Sequence, residues 1–101
     1  MGDRLDLQEI FEETLGSEYV YFQPPESVKM VYPAIVYRRN TGNTVFADNK
    51  PYHHKVQYEA IVIGLDPDSD ILGKVAMLPE CVFVRHYTAN GLNHDVYNLY
   101  Y

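Results

Sequence analysis

The chain has 101 residues, 47% of them hydrophobic, and a formal charge of −6 from 14 acidic and 8 basic side chains. That length builds one modest core and excludes two ordinary domains, and the hydrophobic content excludes a disordered chain. No apolar run approaches the roughly 18 to 20 residues that cross a bilayer, and the acidic balance disfavours a broad nucleic-acid footprint, which draws on clustered Lys and Arg.

The opening MGDRLDLQEIFEE is acidic and amphipathic rather than basic and then apolar, so no secretory leader is expected. Leu7, Ile10, Phe11 and Leu15 recur at three- and four-residue spacing and predict a helix over 5–15, stopped by Gly16, with Asp3 and Asp6 near its start. Glu18 to Gln23 reads as a short strand halted by Pro24 and Pro25. After that connector, Tyr32 to Arg38 resumes strand character, with Pro33 where a missing amide hydrogen is tolerable. Asn40 to Asn43 reads as a turn, and Thr44 to Pro51 as a loop with two apolar residues, Val45 and Phe46.

Tyr52 to Leu65 (YHHKVQYEAIVIGL) is the longest uninterrupted strand-like run and the expected centre of the sheet. Strand side chains alternate faces, so Tyr52, Val56, Tyr58, Ala60 and Val62 share a core side, while His53, Lys55, Gln57 and Glu59 share a wet one. Ile61, Ile63 and Leu65 turn the second face apolar late in the run, which predicts cover there by a second helix or a partner subunit. That helix should start with Asp66 as cap and Pro67 at the first helical position, carry Ile71, Leu72, Val75 and Leu78 on one stripe, and end at Pro79. Cys81 to Tyr87 and Asn93 to Tyr101 follow as two strands joined by a turn containing Asn90-Gly91. The expected fold is a single α+β domain over 1–101: a four- or five-stranded, mainly antiparallel sheet with two helices packed on one face.

The chemistry-bearing groups weigh toward structure. Asp66, Asp68 and Asp70 have the spacing that opens a calcium loop, but Ile71 and Met77 stand where such a loop needs Gly and Glu, and an acid-rich helix start accounts for all three. The four histidines His53, His54, His86 and His94 lack ligand-pair spacing; His86 and His94 flank the last turn and are placed across from each other in the hairpin. Cys81, His86 and Asp95 form the one conceivable nucleophilic trio, yet Cys81 sits beside Val82 and Phe83 with no adjacent base, the setting of a buried thiol. A lone cysteine also excludes an internal disulfide and fits a reducing cytoplasm. Lys29, Arg38, Arg39 and Lys50 read as ordinary solvated charge. Ten tyrosines and no tryptophan, with Tyr97, Tyr100 and Tyr101 in the final stretch, favour a chain that uses aromatic surface for assembly.

A set of phrases then carries a resemblance: FQPPESVKMVYPAIVY (22–37), FADNKPY (46–52), DPDS (66–69), Leu78-Pro79 and TANGLNHDVYNLYY (88–101). In their order along the chain they resemble the tail terminator, or tail-to-head joining, family of minor structural proteins in long-tailed bacteriophages and prophages. The resemblance implies a non-enzymatic virion protein, made in the host cytoplasm, that closes as a homo-oligomeric ring, usually a hexamer. Such a ring caps the tail-tube protein, presents a surface to a head-closure or neck protein and lets DNA through as non-specific cargo, with no membrane and no cofactor. It assigns no catalytic or metal residue. Subunit or tube contacts are expected from Pro24, Pro25, Val45, Phe46, Asp48, Asn49, Lys50, Tyr100 and Tyr101. The alternatives are a head-closure protein bound on the portal side and, from another class, a small cytoplasmic α+β enzyme or ligand-binding domain.

Overall fold

The computed structural model describes residues 4–24, 29–39, 56–66 and 68–101. The elements run α1 (Arg4–Leu15), β1 (Val20–Phe22), β2 (Ala34–Arg39), β3 (Gln57–Gly64), α2 (Asp70–Ala76), β4 (Cys81–Ala89) and β5 (Leu92–Tyr100). Together they make an α+β fold in which five strands lie in the order β1-β2-β3-β5-β4. β1 pairs parallel to β2 and the other three pairings are antiparallel. The long strand is the middle one, as its pattern predicts, although its expected first residues, Tyr52 to Lys55, lie outside the described residues.

Both helices pack on one face of the sheet. Leu7, Phe11 and Leu15 of α1 join Ile71 and Val75 of α2 over Ile35, Tyr37, Tyr58, Ala60, Val62, Tyr97 and Leu99. The four-residue spacing in α1 puts its three core residues on a single stripe, and burying each large one is worth on the order of 2 kcal/mol. Gly16 ends α1 at φ +80°, its amide donating to Glu12 O at 2.8 Å, a left-handed termination that glycine adopts without strain.

Three expectations are corrected here. Ser69, not Asp66, caps α2: its hydroxyl accepts from the Ile71 amide, while Asp66 Oδ1 accepts from Asp68 N at 2.9 Å in a turn before the helix. A serine immediately before Asp70, the first helical residue, is a better-placed acceptor than an aspartate four residues before it. Pro67 lies outside the described residues. The second helix also does not cover the late odd face of β3. Residues 61 and 63 face away from both helices, and Leu65 is 75% exposed. The polar row, finally, is not a simple wet edge, because the Glu59 side chain is only 15% exposed and pairs with Arg38 Nη2 at 2.7 Å. On the same face Gln57 Oε1 and Asn98 Oδ1 are buried with no hydrogen-bond partner among the described residues. His53 and Lys55 are not described.

Candidate functional site

The two edges of the sheet differ sharply. β1 is three residues long, and the outward groups of Val20 are occupied: its amide donates to Glu18 O at 2.8 Å, and Gln8 Nε2 donates to Val20 O at 3.0 Å. β4 is nine residues long and has no strand beyond it among the described residues. Val82 (64% exposed), Phe83 (51%), Val84 and Tyr87 stand in solvent along it. Edges of this length and apolarity are normally blunted by charge, proline or cover. Its aromatics are already ordered, Phe83 edge-on to Tyr97 at 5.5 Å and Tyr87 stacked on His94 at 4.7 Å.

β4 and β5 close through Asn90-Gly91, both at positive φ (53° and 76°), as a tight primed turn requires. A two-residue turn fixes register, so Ala89 opposes Leu92, Tyr87 opposes His94 and His86 opposes Asp95. The expected pairing of His86 with His94 is therefore wrong by one position, and the two rings lie on opposite faces. A bulge between Phe83 and Arg85 then decides which side chain meets Asp95. Strict alternation from Cys81 would deliver Arg85; the extra residue turns Arg85 to the other face, opposite Val96, and places His86 against Asp95.

His86 Nδ1 lies 2.9 Å from Asp95 Oδ1. Asp95 is 6% exposed, and it is the only charged residue in the described core. Cys81 does not join this pair. It opposes Leu99, four residues along β5 from Asp95, a separation of about 13 Å at the rise of a strand. Burial also pushes its thiol up from the ordinary range, the wrong direction for a nucleophile. Among the described residues no three His, Cys, Asp or Glu side chains gather as a metal centre would require.

Beside Asp95 lies a cleft of about 270 Å³ between the start of β2, the end of β3, the first turn of α2 and the start of β5. Tyr32, Asp66, Ser69, Leu72, Asn93 and Asp95 are among its lining residues. Segments far apart in the sequence, the phrases around Tyr32-Pro33, Asp66–Ser69 and Asn93–Asp95, meet there. Of the trio named from the sequence, the structure brings His86 and Asp95 together and leaves Cys81 out; the cleft was not singled out in advance, and the two-residue Asn-Gly signal was enough to place His86 opposite Asp95.

Of the expected contact residues, Pro25, Val45, Phe46, Asp48, Asn49 and Lys50 lie outside the described residues, and Pro24 is half-buried before them. Tyr100 is half-buried opposite Gln57. Tyr101 packs against the core and exchanges two backbone hydrogen bonds of 3.0 Å with Val56, which pins this end of the chain to the sheet. Arg38 is held by Glu59, so the basic group around it is partly neutralised. No protein-family model matches the chain, and no curated protein or solved structure is significantly similar to it.

Proposed function

We propose that the chain is a non-enzymatic virion structural protein that ends the tail tube as a ring and joins it to the head. The observation that supports this reading best is the exposed apolar stretch Val82 to Val84 on the long open edge of β4, which Arg85 and the neighbouring bulge protect only in part and which an assembly protein covers with a partner. A ring needs two different surfaces on each subunit. β4 supplies one, and because β1 is only three residues long and Gln8 and Glu18 occupy the outward groups of Val20, the opposite sheet edge is a poor candidate for the second. The net charge of −6 suits a collar through which DNA slides without being held.

Sedimentation of the purified chain with the tail-tube protein of the same virion tests the reading. The wild type is expected to sediment as a ring or with the tube. The Val82→Lys/Val84→Lys double variant should stay monomeric with an unchanged unfolding midpoint, since both side chains are exposed. A wild-type chain that remains monomeric and ignores the tube overturns the proposal. Retention by portal protein instead of tube protein would overturn the terminator role in favour of head closure.

A further inference from the structure

The cleft beside Asp95 has a chemistry of its own. Its described lining contains two carboxylates, Asp66 and Asp95, and no Lys, Arg or His. Phosphates, nucleotides and carboxylate ligands are thereby disfavoured. The α2 terminus at its wall does not reverse this, because Ser69 Oγ already accepts from the Ile71 amide and Asp70 adds a further acid. Asp95 is the more telling group, since a buried carboxylate is costly unless it is compensated. His86 takes its Oδ1 at 2.9 Å, and Asp95 also lines the cleft, so a carboxylate with one oxygen engaged forms part of its wall.

Asn93 points the same way. Its Nδ2 donates to Gly64 O and Leu65 O at 3.4 and 3.3 Å, so both amide donations are spent on the backbone and what the side chain has left to offer is an acceptor. The cleft therefore offers acceptors to a group that only donates. Size narrows the choice further: about 270 Å³ is at or below the smallest pockets that hold a drug-sized molecule, and it suits one long side chain. Val62, Leu72 and Pro33 provide apolar wall for a methylene stem, and the half-exposed ring of Tyr32 is a face for a cation.

We propose that this cleft is a socket for a single basic side chain, arginine or lysine, presented by a protein with which the chain assembles. The socket stands on the lining chemistry alone; that its occupant belongs to an assembly partner rests on the structural-protein reading above.

The test is a titration of the full chain, followed by amide NMR, with the acetylated methylamides of arginine, lysine and norleucine and with inorganic phosphate. The arginine or lysine probe should shift the signals of Gly64 to Asp66 and Asn93 to Asp95 in a saturable way at millimolar concentration, the tighter of the two identifying the preferred head group. Norleucine and phosphate should not. Asp95→Asn and Asp66→Asn each keep the oxygen that accepts from His86 or from Asp68 N, so both should fold, with spectra unchanged away from the cleft. Each should weaken the cationic probe by about tenfold, the usual effect of losing one charge-assisted contact. Absence of saturable shifts, equal shifts with norleucine or phosphate, or undiminished binding in both variants overturns the socket. Probe binding combined with normal ring and tube association in Asp95→Asn leaves the socket standing and overturns its assignment to an assembly partner.

Discussion

Tyr37 ties the helix layer to the sheet. Fully buried, it packs at 5.1 Å from Phe11, 4.9 Å from Phe22 and 5.9 Å from Tyr58, and its hydroxyl donates to Gln8 Oε1 at 2.6 Å. Burial raises its pKa, with the Arg4 guanidinium pulling the other way. The same desolvation acts on Cys81, which keeps its proton to higher pH than a free thiol. Alkylation by iodoacetamide should therefore rise with pH around a midpoint above the ordinary thiol range, and urea should bring that midpoint back down. A midpoint below the free-thiol value in the folded chain would revive the nucleophile reading. Cys81 is half-buried rather than buried, and its neighbours Val82 and Phe83 are exposed, so only the apolar character of this stretch was legible. The bulge was not, because the run Val82 to Val84 is apolar throughout and carries no alternation from which a skipped residue shows. His86 in place of Arg85 opposite Asp95 thus had to come from the turn or from the structure.

At the scale of elements, α2 shows how an abundance of caps blurs a boundary. Asp66, Asp68 and Ser69 are all competent acceptors, and only the Ile71–Val75 stripe, four residues apart and both buried, selects the helix that begins at Asp70. Ser69→Ala should cost about 1 kcal/mol in urea unfolding, and Asp68→Ala much less, since Ser69 supplies the side chain that accepts from Ile71 N. Equal losses in the two variants would mean that the cap is misassigned. Strand identities were legible from period-two patterning in β3 and from the Asn-Gly turn between β4 and β5. The side on which α2 packs was not. Ile61, Ile63 and Leu65 made the odd face as apolar as the even one, and tertiary packing settled the choice by stacking α2 beside α1.

Across the whole molecule, the decisive property is that one sheet edge is short and partly closed while the other is long and open. Gln8 closes the first by bonding Val20 O while accepting from Tyr37, so Gln8→Ala should lower stability by about 1 to 2 kcal/mol. It should also free a second edge and convert limited association into open-ended growth, seen as light scattering that keeps rising with concentration. Scattering indistinguishable from wild type at equal folded fraction would show that Gln8 does not guard that edge. None of this could be read in the chain beforehand, because strand order depends on pairings between distant segments, such as Gln57 with Tyr100, that leave no local trace. The placement of β5 between β3 and β4 has a consequence for synthesis. Until residues 92–100 have left the ribosome, β3 presents a bare edge and the core lacks Val96, Tyr97 and Leu99, all nearly or fully buried in the finished fold. The growing chain can form α1 and local turns, but it has no stable sheet to close until that strand arrives, and in the interval the exposed flank of β3 is its principal hazard for mispairing.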